Sequence, residues 1–378
     1  MTWAWSNPVR VVGDCSAPGA VAEAVAGRRA VLIATEGAAR RGMVERLQRA
    51  LGFGTSVAWT GVLVNPTLVS VEQAVRDLEG CDAAVIVGIG GGSALDSAKA
   101  IGLGLRSGTD AVRRAIGGDT VPGGASLPMV AVPTTAGTGS EVTPFATLWD
   151  DESSRKLSIA GPGLYSEVAC LDAELTISAP HDVTVSAGLD AISQACEALW
   201  NRHATVVTDG FAIRSLQLGM RALPRVAASP TDFDERRAML QASLLAGMAI
   251  AHTRTALAHS ISYPLTAHYG LPHGIAASFS LPAVLQFVAE TAGPRLAYVA
   301  TALGFPSIDA MRAALERLLR ELEVGKHMRL HGIGLQEVVG LGEEFLTPGR
   351  SDNLVRDVTV SDAVAIATRA LGVLGSSG

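Results

Sequence analysis

Two short stretches rich in glycine and hydroxyl side chains carry the clearest chemistry in this 378-residue chain. The first, Gly88-Ile89-Gly90-Gly91-Gly92-Ser93, follows a β-branched run at 83–87 and opens a helical stretch at 94–103. At such a junction the first backbone N–H groups of the helix have no internal partner, and the helix dipole favours an anion. Glycine lets the backbone approach a pyrophosphate with no Cβ in the way, and a positive φ is expected at Gly91. The common dinucleotide fingerprint is not met, because Ser93 stands where its third glycine would be. The second stretch, 133–141 (PTTAGTGSE), follows the run 129–132. The hydroxyls of Thr134, Thr135, Thr138 and Ser140 can wrap a ribose and its phosphates. Two such loops together point to a nucleotide, with Gly90, Gly91, Gly92 and Ser93 at its phosphates.

The elements that must position these loops alternate in the first half of the chain. Strands are expected at 30–34, 56–60, 83–87, 129–132 and 168–171, with helices at 38–51, 71–78 and 94–103. This rhythm predicts a parallel sheet with helices on both faces. From Pro180 onward nearly everything has helical period: 184–201, 206–224, 233–263, 275–289, 293–303, 308–323, 335–345 and 361–374. The expected fold class is an α/β dinucleotide-binding domain over 1–178, followed by an all-helical domain over 179–378.

Composition narrows the function. A net charge of -6 argues against nucleic acid and anionic lipid as partners, and 4% aromatic residues offer no base-stacking surface. Cys15, Cys81, Cys170 and Cys196 are scattered without metal-ligand spacing and read as small apolar residues in a reducing compartment. The N-terminus lacks the apolar core of a signal peptide, and charged Arg254 interrupts the stretch 241–259, taken as the most apolar of the chain. A cytoplasmic location is expected.

The motifs GGGSALDSAKAIG (90–102) and PTTAGTGSEVT (133–143) resemble those of the iron-dependent, group III alcohol dehydrogenases. The resemblance continues through CLDAELT (170–176), SAGLDAISQACEA (186–198), the stretch 246–274 and PHGIAASFSLP (272–282), in order and at proper spacing. It implies NAD or NADP as cofactor and a divalent metal, Fe²⁺ or Zn²⁺. Asp96 and Lys156 complete the expected cofactor set, and the resemblance leaves room for a homodimer.

In that family one helix supplies an aspartate and, four residues on, a histidine, and two more histidines follow fourteen residues apart. Asp190 fills the first position, and His259 and His273 fill the last two. Gln194 stands at the second, a neutral and weaker donor than imidazole. Residues 190 and 194 share one helix face, so their side chains can converge. Tyr263 stands where a proton-relaying histidine is common, and a phenol with an ordinary pKa near ~10 is a poor base at neutral pH.

Glu36 closes the first strand, where an acidic residue would hold ribose hydroxyls and favour NAD. Arg40 and Arg41 follow and could pair with a 2′-phosphate, so the NAD or NADP choice stays open. By alignment Phe145, Ile250, His252 and Arg254 fall near the substrate. Arg254 lies five residues before His259 and is expected on the same helix. A guanidinium near a cationic metal is costly unless an anion sits close by. The alternative is that Arg254 points away and pairs with a carboxylate.

The expected activity is therefore reduction of a small aldehyde, with Arg254 and His252 holding an anionic tail. The branch it suggests reduces phosphonoacetaldehyde to 2-hydroxyethylphosphonate in phosphonate antibiotic biosynthesis. A general alcohol or lactaldehyde dehydrogenase and a maleylacetate reductase are alternatives within the class. A metal- and NAD-dependent sugar-phosphate cyclase, a lyase, is the alternative outside it.

Overall fold

The apolar run Ala30–Ala34 is buried at all five positions because both its faces are covered. Val31 and Ile33 join one core, while Ala30, Leu32 and Ala34 join another on the opposite side. That period of two is what a strand inside a sandwich of helices requires. A computed structural model describes residues 2–150 and 156–375. Its contacts divide the chain into two units. One is Ser6–Thr135 with Gly139–Ala179; the other is Pro180 onward, with residues 136–138 and the N-terminal residues through Trp5.

In the first unit the strands are β1 (Arg10–Gly13), β2 (Ala30–Ala34), β3 (Ser56–Trp59), β4 (Val85–Gly90), β5 (Met129–Pro133), β6 (Phe145–Trp149), β7 (Lys156–Ala160) and β8 (Val168–Leu171). Six of them form a parallel sheet in the order β1-β8-β5-β4-β2-β3, and β6 with β7 makes an antiparallel hairpin. The helices are α1 (Ala17–Val25), α2 (Glu36–Arg40), α3 (Met43–Leu51), α4 (Leu68–Asp77), α5 (Gly92–Ser107), α6 (Thr109–Ile116) and α7 (Glu174–Ile177). Residues of α1, α3 and α7 fill one core, and those of α4, α5 and α6 the other. The fold class follows the sequence pattern. β1, the hairpin, α1, α6 and α7 were not expected, the helix expected over 38–51 is two, α2 and α3, and β4 lies two to three residues later than the apolar run suggested.

The second unit contains α8 (His181–Leu199), α9 (Val206–Ala228), α10 (Phe233–Thr253), α11 (Leu257–Tyr269), α12 (His273–Ser278), α13 (Leu281–Ala302), α14 (Ile308–Glu321), α15 (Val324–Leu330), α16 (Leu335–Gly340) and α17 (Val360–Gly375). α8, α9 and α10 pack on one another, and α12 packs on α8. The last contact depends on Gly274, where a Cβ would fall 1.7 Å from the carbonyl oxygen of Ser186. The chain kinks at Ala292, two residues before Pro294, where the break between the helices expected over 275–289 and 293–303 falls; the first of these is itself interrupted at 279–280, between α12 and α13.

The single helix expected over 233–263 is broken. α10 ends at Thr253, Arg254 has φ 60° and ψ -178°, and a new helix starts at Leu257. The most apolar helical window lies in 273–302 rather than 241–259; it has the length and composition of a membrane span, but 72% of it is buried inside the protein, as in a core helix.

Candidate metal centre and cofactor loops

A buried carboxylate decides where α11 begins. Glu197, one turn beyond Gln194 on α8, accepts hydrogen bonds from the backbone N–H of Ala256 at 2.8 Å and of Ala258 at 2.5 Å. These are N–H groups at a helix start that no intrahelical carbonyl can serve, and an anion there is favoured by the dipole. The same carboxylate lies 2.7 Å from Nδ1 of His259, in the first turn of α11. Nδ1 is thereby fixed as a donor, and Nε2 is turned toward Asp190 Oδ1 at 3.2 Å. Burial alone would discharge His259, but Glu197 and Asp190 outweigh it and raise its pKa to about 10.

The third group arrives by the turn at Gly270, which caps α11 in the left-handed conformation. The chain then re-enters against α8 at Gly274 and brings His273 Nε2 to 4.0 Å from Asp190 Oδ1. One ligand atom each from Asp190, His259 and His273 lies within 4.8 Å of the others. Gln194 sits beside them, its Nε2 donating to Asp190 Oδ2 at 3.1 Å. Its Oε1 is buried with no hydrogen-bond partner. A buried acceptor without a donor is rare, and a cation would satisfy it. Two imidazoles, a carboxylate and an amide oxygen fit a divalent iron or zinc ion.

Tyr263, one turn beyond His259, stacks its ring on His273 at 6.2 Å between centroids. Its hydroxyl accepts a 3.0 Å hydrogen bond from Nε of Arg350. His252 lies in the last turn of α10 with its ring 5.5 Å from that of Trp5. Arg254 is not on the helix of His259, as had been expected. It is the residue that ends α10, with its side chain exposed. It forms no ion pair among the described residues, so the expected alternative, a carboxylate partner, is absent there. Partial burial and the nearby Arg350 charge both lower its pKa.

In the first unit, β4 runs through Gly90, Gly91 caps α5 without a side-chain bond, and Gly92 and Ser93 form its first turn. The conformational demand falls one residue earlier than expected. Gly90 has φ 149°, whereas Gly91 has φ -79°, open to any residue. Gly91 is required for space, since a Cβ would meet Thr135 Oγ1 at 2.9 Å. Thr134 hydrogen-bonds through its N–H to Gly90, and the Ser93 hydroxyl donates to the Val64 carbonyl.

The second loop is anchored to α5 from within. Asp96 accepts from the Ser140 hydroxyl at 2.6 Å and from the Thr147 N–H at 2.8 Å. Buried Lys99 donates to the carbonyls of Ser140, Thr143 and Phe145. Burial pushes Lys99 down to about 8 and Glu141 up to about 7. Asp96 and Ser140 thus shape the loop with their side chains. Thr138 lies in the segment 136–138 that clusters with the helical unit, and Lys156 starts β7 opposite Trp149. Glu36 and Arg40 pair with each other across one turn of α2 at 3.3 Å, both largely exposed.

Sequence reasoning missed Glu197 and Arg350. Glu197 had a signal: with Asp190 and Gln194 it makes an i, i+4, i+7 polar face on a stretch, 189–199, whose other residues are Ala, Ile, Leu, Cys and one Ser. Glu197→Gln should keep the shape but lose the anion behind His259. Metal affinity should fall about 10–100-fold, the range for an outer partner of a ligating histidine, in chelator competition. Unchanged affinity would mean that Glu197 serves only the start of α11.

Residues 8–173 match the iron-containing alcohol dehydrogenase family, and residues 184–370 match the C-terminal domain of the same family. Lactaldehyde reductase of Escherichia coli K12 is 30% identical over 321 residues, 82% of this chain and 84% of that protein. Phosphonoacetaldehyde reductase of Streptomyces viridochromogenes is 39% identical over 226 residues, 58% of this chain and 56% of that protein. Among solved structures, sulfoacetaldehyde reductase of Bifidobacterium kashiwanohense in complex with NAD+ superposes with a TM-score of 0.91 at 27% identity, over 100% of both chains. The chain belongs to the iron-containing alcohol dehydrogenase family of oxidoreductases.

Proposed function

We propose that the protein reduces a small aldehyde bearing an anionic group to the primary alcohol, with phosphonoacetaldehyde as substrate and 2-hydroxyethylphosphonate as product. NADH or NADPH is the reductant, and Asp190, Gln194, His259 and His273 hold the divalent metal. The observation that carries the anionic substrate is Arg254. Its backbone, at φ 60° and ψ -178°, lies in a region that is nearly glycine-only and costs other residues about 1–3 kcal/mol. A side chain kept there against that cost, exposed and without a carboxylate partner among the described residues, has a use other than the fold. Relatives named for phosphonate- and sulfonate-bearing aldehydes support the same substrate class.

When bound, the metal supplies Lewis acidity at the carbonyl oxygen and the nicotinamide supplies the hydride. Glu197 holds His259 in the tautomer that presents Nε2. Asp190, 4% exposed, brings a negative charge to the same point. The start of α5, with Gly91 as its cap and no side-chain bond to its first N–H groups, is where a pyrophosphate would be held. Arg254 grips the anionic tail by charge-assisted hydrogen bonds and so orients the carbonyl.

An aldehyde panel followed by NADH and by NADPH oxidation tests this reading. Phosphonoacetaldehyde should exceed propanal in kcat/KM by at least about tenfold, one contact's worth of 1.4 kcal/mol. Comparable values for the two would refute an anion-reading site. Phosphate release from a sugar phosphate with no net cofactor oxidation would place the protein with the lyases instead.

A further inference from the structure

Arg254 is not the only cation in its neighbourhood without a carboxylate partner. Arg350, between α16 and α17, forms no ion pair among the described residues either. Its Nη1 donates to the Gly349 carbonyl at 2.7 Å, and its Nε donates to the Tyr263 hydroxyl at 3.0 Å. Tyr263 in turn lies on His273. One guanidinium edge is thus fixed against the metal-binding cluster, while Nη2 makes no hydrogen bond among the described residues.

The two loops are tied together at the backbone. Asn353 donates from Nδ2 to the Thr255 carbonyl, next to Arg254, and to the Gly349 carbonyl, next to Arg350, at 2.9 Å each. Asn201 donates to the Arg254 carbonyl at 3.4 Å and pairs as a β-bridge with Leu354. The Thr253 hydroxyl also donates to the Arg254 carbonyl, at 2.9 Å. Asn353, 7% exposed, and Asn201, 3% exposed, are buried residues used to hold two like charges near each other. Repulsion between such charges is a cost that Glu197 and Asp352 offset only on the Arg350 side, and from beyond ion-pair distance. A doubly charged anion would relieve it.

We propose that Arg254 and Arg350 together form a subsite for a dianionic phosphonate or phosphate headgroup, so that the protein selects dianionic over monoanionic aldehydes. This rests on Arg254 reading an anion, as argued above, and adds Arg350 as a specificity-determining residue. Guanidinium forks match tetrahedral oxyanions in a bidentate manner, and two forks serve three oxygens better than one. Arg350 also lowers the pKa of Arg254 behind the effect of partial burial, while Tyr263, and after it Glu197 and Asp352, raise that of Arg350 itself.

The test uses the whole metal-loaded protein with oxidised cofactor and two alcohols of equal shape, 2-hydroxyethylphosphonate and 2-hydroxyethylsulfonate, in calorimetric titrations. The wild type should bind the phosphonate at least about tenfold more tightly, and the preference should grow as pH rises through the second ionisation of the phosphonate, which lies above the ~6 of a phosphate monoester because carbon replaces the ester oxygen. Arg350→Gln should abolish that preference while still binding the sulfonate. Arg350→Lys should restore it in part, because the charge returns without the fork. Arg254→Ala should weaken both ligands. A preference that survives Arg350→Gln, with both ligands weakened by Arg254→Ala, overturns the dianion subsite and leaves the anionic-aldehyde reading standing. Indifference of both ligands to both arginines overturns the two together. Equal losses for both ligands in Arg350→Gln mean that Arg350 only braces Tyr263, which also overturns the proposal; melting curves exclude unfolding as the cause.

Discussion

His273→Ala should leave a folded protein that binds metal poorly and turns over at least about a thousandfold more slowly. The expected loss is the several kcal/mol of charge stabilisation that a metal gives a developing alkoxide, at 1.36 kcal/mol per decade. His273 is the better position for this experiment than His259. Its side chain is 31% exposed, whereas that of His259 is 4% exposed and bonded to both Glu197 and Asp190. Removing His259 would leave the buried Glu197 carboxylate without its partner and endanger the fold. The proton on His259 adds a pH dependence. Its pKa near 10 in the metal-free protein means that a metal must displace that proton. Metal affinity should therefore rise with pH up to about 10, and fall as the solution is acidified. The same raised pKa stabilises the metal-free fold fully below 6.5 and loses that contribution as pH rises through 10. Full turnover by His273→Ala in a preparation shown by elemental analysis to lack metal would sink the mechanism.

Arg254→Gly should do two opposite things. Glycine relieves the backbone at φ 60° and ψ -178°, so the variant should be more stable by about 1 kcal/mol, or roughly 2 °C in melting temperature. The anion loses its charge-assisted contact at the same time. Hydrogen bonds to charged groups contribute about 1.5–3 kcal/mol, and for the exposed Arg254 the loss is set at about 2 kcal/mol. That is about a 30-fold loss in kcat/KM for phosphonoacetaldehyde. Propanal has nothing for a guanidinium to hold and should change by about twofold, the scale of a surface substitution. Stability gained while selectivity is lost is the pattern of a residue kept for function. Equal losses on both aldehydes would instead make Arg254 a support for the chain around it.

The sequence made the parallel sheet legible because strands buried on both faces are unbroken apolar runs, as at Ala30–Ala34 and Met129–Pro133. β1 and the β6–β7 hairpin escaped because they carry less of that signal. Arg10–Gly13 is only partly buried, and in the hairpin β6 alternates buried and half-buried residues while β7 has one buried residue in five. Asp190, His259 and His273 were found by resemblance, and the structure brings them within ligand distance of one another. The break between α10 and α11 was invisible locally, since helical period runs straight through it. It is imposed from afar, by Glu197 on the N–H groups of Ala256 and Ala258 and by Asn201 on the Arg254 carbonyl. Arg350 had no local signal at all. Its meaning depends on Tyr263, 87 residues away in sequence on α11.

A crystal of the protein loaded with zinc and 2-hydroxyethylphosphonate, with anomalous scattering collected at the zinc edge, tests the account most directly. The predicted result is one strong anomalous peak bounded by Asp190, His259 and His273 with the Gln194 amide oxygen turned to it, and phosphonate density against the Arg254 guanidinium. Zinc bound elsewhere, or a phosphonate that leaves Arg254 untouched, would contradict it.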